Sequence, residues 1–265
     1  GEWGPFAAVV SGLDIALYDL FARRAGVPVA GLLAGEYADA VPTYASGIHI
    51  KSADRLIDAA RADGYVNFKV KIGFDLDEDI ADIRRVCGAL QAGETLLSDA
   101  NQAWDADTAE TFVYGIGDTP LGWLEEPIPA DAPREDWERV AAAGSVPIAG
   151  GENIVGLDAF EYWARSGVFG VMQPDVIKWG GITGCLAAAK AIMAAGRRYC
   201  PHYLGSGVGL TASAHLLAAV GGDGILEIDA NPNPLREAFL HDAGPRRLLA
   251  VSDAPGLGIE TLPQE

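Results

Sequence analysis

Eight side chains carry most of the chemistry available to this sequence, and seven of them recur at nearly equal spacing. Lys71, Asp99, Glu125, Glu152, Asp175, His202 and Glu227 are separated by 28, 26, 27, 23, 27 and 25 residues, and Lys69 stands two before the first. Three carboxylates held together repel one another unless a cation neutralises them. Asp99, Glu125 and Glu152 form an all-oxygen set without cysteine or histidine, which suits a hard divalent ion: magnesium by default, manganese as an alternative, zinc disfavoured. In "WLEEP" two acids adjoin. Neighbours on a strand face opposite sides, so only one of Glu125 and Glu126 is expected to face that ion, and spacing alone does not choose between them.

In "NFKVKIG" two lysines sit two apart, so both face one side of a strand, leaving Phe68, Val70 and Ile72 for the other. Two ammonium groups on one face, near a metal, are expected to lower the pKa of at least one, which fits a lysine for general-base work. Asp175 and His202 are one spacing apart. A carboxylate bonded to an imidazole fixes its tautomer and raises its basicity, giving a second proton-transfer group. A metal with two opposed acid/base groups points to removal of a proton α to a carboxylate, through an enediolate whose charge the ion stabilises.

Residues that share a period must share an element that repeats. β-rich stretches occur near residues 41–47, 66–72, 95–100, 121–125, 146–150, 169–173, 198–202 and 225–229, with helical patterns between them. Eight strands alternating with helices predict a parallel (β/α)8 barrel of the TIM type, in which the C-terminal strand ends converge on one mouth. The expected organisation is a helical lead-in over 1–40, the barrel over 41–240 and a C-terminal extension over 241–265. "SADRLIDAARADG" predicts a helix with Ser52 as its N-cap and Gly64 as its stop. His215, inside the helical "TASAHLLAAV", reads as a core residue.

At 265 residues and 49% hydrophobic, the chain can bury one large core. A formal charge of −18 argues against nucleic acid or an anionic membrane as partner. No charge-free run of about 18 apolar residues appears. Three scattered cysteines fit a reducing, cytoplasmic setting better than a disulfide framework.

The segments "ALYDLFARRAGVPVAGLLAG", "KVKIG", "SDANQAW", "WLEEP", "GGEN", "QPDVIKWGGITG" and "CPHYLGSGVGLTASAHLLAA" resemble the mandelate racemase/muconate lactonizing enzyme family of the enolase superfamily, across nearly the whole chain. The resemblance implies Asp99, Glu125 (the first acid of "EEP") and Glu152 as magnesium ligands. It implies Lys71 as the base, Lys69 as its supporting neighbour, and Asp175 with His202 as the opposing dyad. Asn101 matches a residue beside the substrate, and Glu227 the eighth-strand acid that polarises or hydrogen-bonds its carboxylate. Asp175 stands where muconate-lactonizing relatives carry lysine, so the likeness is to the mandelate racemase subgroup. Family members begin with an α+β capping domain of roughly a hundred residues, within the usual size of a small domain; its motifs are absent here. They are commonly dimers or octamers.

The substrate implied is a small carboxylate. His49, Tyr203, Asn231, Asn233 and Arg236 are polar candidates for a hydroxylated one, although the Asn-Pro repeats equally suit turns. Dehydration of an acid sugar to a 2-keto-3-deoxy acid is the leading reading. Racemisation or epimerisation of a 2-hydroxy acid, and a barrel that binds metal without turnover, are the alternatives.

Overall fold

The computed structural model of the protein describes residues 4–239 and 246–261. Helix α1 spans Gly4–Ala25 and α2 Val29–Leu33, ahead of strand β1 at Ala40–His49. Helix α3 (Ala53–Ala62) leads to β2 (Asn67–Lys71), α4 (Leu76–Gly88) to β3 (Thr95–Asp99), α5 (Ala106–Ile116) to β4 (Leu121–Glu125), and α6 (Arg134–Ala142) to β5 (Ile148–Gly150). Then α7 (Leu157–Ser166) precedes β6 (Phe169–Met172), α8 (Gly181–Ala194) β7 (Arg198–Tyr199), and α9 (Gly207–Val220) β8 (Leu226–Asp229), before the short α10 (Pro234–Glu237) and β9 (Leu248–Ala250).

Strands β1 to β8 run parallel in the order β7-β6-β5-β4-β3-β2-β1-β8, the (β/α)8 barrel. The remaining seam brings β8 against β7 so closely that a Cβ on Gly224 would lie 2.0 Å from the Tyr199 carbonyl oxygen. Every expected strand forms. β9 was not foreseen; it pairs antiparallel with the start of β1 and ties the C-terminal segment to the base of the barrel. Part of that segment, residues 240–245 and 262–265, lies outside the described residues, as do residues 1–3.

The period-2 alternation of the strands builds two cores. Tyr44, Leu97, Trp123, Ala149, Val171, Cys200 and Ile225 fill the barrel interior. Phe68, Val70 and Ile72 belong to the larger core between strands and helices, which turns Lys69 and Lys71 inward. The loop after β2 is fixed by its own helix: buried Asp79 accepts from the amides of Gly73 and Phe74 at 2.8 and 2.9 Å. Ser52 does precede α3, but its hydroxyl makes no capping bond because a 3-10 turn over Ile50–Ser52 leads into the helix. His215 is fully buried, its Nδ1 accepting from Ala30 N at 3.2 Å. All three cysteines are buried and unpaired.

α1 is long and apolar enough, by length and composition alone, to cross a membrane, with a mean hydropathy of 1.4 over its most apolar window. One side of it packs on α8, where Asp14 accepts from the amide and hydroxyl of Thr183. Phe6, Val10, Leu13, Leu17 and Leu20 on its other side are exposed.

Candidate active site

Register sets the site. Lys71, Asp99 and Glu125 are direct neighbours across β2, β3 and β4, so their side chains leave the same face at the same height. Lys71 Nζ contacts Asp99 Oδ2, while Asp99 Oδ1 accepts from Asn101 N at 2.8 Å. One turn deeper, Lys69 is completely buried. Its Nζ lies 2.9 and 2.8 Å from the two oxygens of Glu125, 2.7 Å from Glu227 Oε1 and 3.7 Å from Asp99 Oδ2, over the Tyr44 ring. Burial opposes its charge, but Glu125 and Glu227 outweigh that and raise its pKa well above the lysine range. The expected lowering by a second ammonium therefore does not appear at Lys69. It is held protonated, which leaves Lys71 as the candidate base.

On the other side of the mouth, His202 Nδ1 is 2.6 Å from Asp175 Oδ2 and its Nε2 contacts Glu152. Burial works against the imidazolium, yet Glu152, Glu227 and the bond to Asp175 raise its pKa. Asp175 Oδ1 is anchored in turn by the amides of Ile177 and Lys178, at 2.7 and 3.1 Å. Glu227 Oε2 accepts from Tyr203 N at 3.1 Å and lies 3.6 Å from His202 Nε2, so Glu227 stands between the lysine side and the histidine side.

The "EEP" pair departs from simple alternation. β4 ends at Glu125, and Glu126 has φ 38°, a left-handed turn that brings its side chain inward as well. Its carboxyl is buried and, among the described residues, receives only Asn153 Nδ2, at 2.8 and 3.0 Å; the same nitrogen lies 3.1 Å from Glu152 Oε1. Burial and the neighbouring Glu152 push the Glu126 carboxyl up to about 7. Only one acid of the "EEP" pair was expected to face inward and both do, while spacing did not show Asn153, Gln173 or Lys178 as part of the site. Of these, Gln173 had an available signal, lying two residues beyond the inward-facing Val171 of β6. Lys178 Nζ is 3.4 Å from Glu152 Oε1.

Five polar candidates do not join the cluster as expected. His49 is exposed at the rim, its ring stacked 4.4 Å from that of Phe74. The Tyr203 ring is buried against Gly205 and Gly209, and its hydroxyl donates to the Ser206 carbonyl, so only its backbone amide serves the site. Asn231, Asn233 and Arg236 brace the loop after β8. Asn231 bonds Asp229 and the Gly47 carbonyl, Asn233 caps α10, and Arg236 reaches the Asn231 carbonyl. Asn101, at φ 46°, is exposed at the mouth.

Among the described residues, no three His, Cys, Asp or Glu side chains converge on one point as they stand, because lysines and His202 engage the acids. The donor set nevertheless fits a hard divalent ion. Six acids, Asp99, Glu125, Glu126, Glu152, Asp175 and Glu227, face four basic side chains, Lys69, Lys71, Lys178 and His202, so acids outnumber bases, and Glu126 makes no ion pair among the described residues. Oxygen ligands and excess negative charge suit magnesium or manganese.

A family model described as "Enolase C-terminal domain-like" matches residues 51–265. The chain is 32% identical to the D-galactarolactone cycloisomerase of Agrobacterium fabrum, over 98% of this chain and 73% of that protein. It is also 32% identical to the L-talarate/galactarate dehydratase of Salmonella typhimurium, over 97% of this chain but only 64% of that one. A solved mandelate racemase/muconate lactonizing enzyme from Bordetella bronchiseptica RB50 superposes with a TM-score of 0.93 at 46% identity, covering 100% of this chain and 73% of the other. A racemase from Streptomyces coelicolor A3(2) with bound magnesium superposes with a TM-score of 0.82 at 29% identity, over 95% and 69%. With the barrel, the strand-end acids and these similarities in agreement, the chain belongs to the mandelate racemase/muconate lactonizing enzyme family of the enolase superfamily.

Proposed function

We propose that this chain removes the proton α to the carboxylate of a hydroxylated acid, and that an acid sugar is thereby dehydrated to a 2-keto-3-deoxy acid. One observation carries the reading: Lys71 on β2 and the His202–Asp175 pair beyond β7 and β6 flank one carboxylate-lined mouth from opposite sides. A divalent ion held by Asp99, Glu125 and Glu152 would supply Lewis-acid stabilisation of the negative charge that develops on the substrate carboxylate.

Lys71, in its neutral form, takes the α-proton on Nζ. Lys69, fixed in the charged form between Glu125 and Glu227, adds positive potential beneath the carboxylate without competing for the proton. His202 is oriented by Asp175 through Nδ1, so its Nε2 is the atom that faces the mouth and delivers a proton to the departing β-hydroxyl, which leaves as water. The enol left behind becomes the 2-keto acid.

The similar L-talarate/galactarate dehydratase supports the dehydration outcome. The same two groups also support epimerisation, if His202 returns a proton to the opposite face of the enediolate, and the similar racemase favours that second reading. The test is incubation with Mg2+ in D2O against a panel of aldonic and aldaric acids. Formation of a 2-keto acid supports dehydration, and α-deuteration with inversion supports epimerisation. Magnesium binding without either would overturn the reading in favour of a barrel that binds metal and turns nothing over.

A further inference from the structure

We propose that Gln173, assisted by Trp123, is a positioning residue that fixes the rotation of the Glu125 carboxyl and thereby sets the affinity of the mouth for a divalent ion. The proposal rests on the metal-holding role given to Glu125 above.

Gln173 follows β6 directly and is fully buried, yet its partner lies two strands away. Glu125 is in register with Ala149 on β5, and Ala149 with Val171 on β6. Gln173 lies two residues beyond Val171, hence on the same inward face. Because β5 contributes only a methyl group at this level, the Gln173 amide reaches across it and Nε2 donates to Glu125 Oε2 at 2.7 Å. The backbone beneath is clamped. Gln173 N donates to the Gly150 carbonyl at 2.9 Å, and Gly151, at φ 143°, packs so tightly that an added Cβ would lie 2.6 Å from Gln173 N.

The bond also dictates the orientation of the amide. Lys69 donates to both Glu125 oxygens, which leaves them as acceptors, so the Gln173 NH2 group faces Glu125, and Gln173 Oε1 is left buried without a partner among the described residues. An unmet buried acceptor weakens the fold, and an apolar side chain of similar size would avoid it. Stability therefore argues against glutamine at this position, and the side chain is explained by what it does to Glu125. Oε2 receives Gln173 and, at 3.3 Å, Trp123 Nε1, in addition to Lys69; Oε1 receives Lys69 alone. Gln173 and Trp123 are neutral donors. They fix the carboxyl plane while leaving its charge available to a cation, which Lys69 does not.

The experiment is Mn2+ binding to the 265-residue chain, followed by electron paramagnetic resonance without substrate, with thermal melting of each variant. Gln173→Met is expected to bind Mn2+ about ten- to a hundredfold more weakly, the usual effect of removing a partner of a metal ligand, while melting at or above the wild-type temperature. Trp123→Phe should shift affinity in the same direction by less. Unchanged affinity in Gln173→Met overturns the proposal, and so does a lowered melting temperature with unchanged affinity. Should Gln173→Met fail to fold, unchanged affinity in a folded Trp123→Phe overturns it instead. Glu152→Gln separates the two layers. If the wild type binds no Mn2+, or Glu152→Gln binds as well as wild type, the metal reading falls and the proposal with it. If Glu152→Gln loses affinity and Gln173→Met does not, the proposal alone falls.

Discussion

Replacing Lys69 with methionine keeps most of the apolar stem of the side chain and removes its charge and its donors to Glu125. Lys69 has no exposed surface and sits between Glu125 and Glu227, at 2.8 and 2.7 Å, with Asp99 at 3.7 Å. Solvent cannot screen what remains, so the variant leaves two buried carboxylates without the cation they share. Breaking a buried ion pair from one side costs about 3–5 kcal/mol. In chains of this size each kcal/mol moves the melting temperature by about 2–4 °C, so the variant should melt roughly 6–20 °C lower. Urea unfolding and thermal melting in the presence of EDTA measure both quantities on the protein alone. Adding Glu227→Gln to Lys69→Met removes one of the stranded charges and should recover part of the loss, with a coupling of about 0.5–3 kcal/mol between the two sites. A loss below about 1 kcal/mol, the value typical of exposed pairs, would refute the reasoning, because the acids would then be solvated or protonated rather than held by Lys69.

Two further outcomes can be measured. With an active substrate, Lys71→Ala and His202→Asn should each abolish turnover, while at least one of them still exchanges an α-proton with D2O from the face served by the surviving group. Asp175→Asn should behave as a weaker form of the histidine variant, and undiminished turnover in both Lys71 and His202 variants refutes the acid/base assignment. Burial pushes the His215 imidazole down to about 4, only partly offset by a backbone hydrogen bond with Leu257 and by Asp19, so the native protein keeps it neutral. The unfolded chain binds its proton near pH 6.5, so stability should fall as the pH drops from about 6.5 to 4, by on the order of 3 kcal/mol. His215→Gln, which keeps an acceptor for Ala30 N, should flatten that slope in urea titrations at stepped pH.

The barrel and the phase of its acids were legible because both rest on periodicity. A two-residue period placed Lys69 and Lys71 on one face, and a recurrence of about one βα unit placed Asp99, Glu125 and Glu152 at successive strand ends. Single backbone turns were not legible. Nothing in "WLEEP" announces φ 38° at Glu126, and that one dihedral brings a second carboxyl into the mouth. The polar residues around Tyr203 failed for a related reason. Each lies near a strand end, as a substrate contact would, but a loop can turn the ring into the core and leave only the amide pointing inward.

The sequence by itself determined which residue types reach the mouth and in what order around it, since alternation and recurrence are properties of the chain alone. Only the tertiary structure decided which charge neutralises which. Lys69 is held charged rather than tuned toward a base because Glu227, 158 residues away in the chain, arrives 2.7 Å from it when β8 closes against β1. Gln173 similarly meets Glu125 only because β5 interposes nothing larger than the methyl group of Ala149. Interactions of this kind depend on distances between strands brought together by closure of the barrel, and no local pattern along one strand records them.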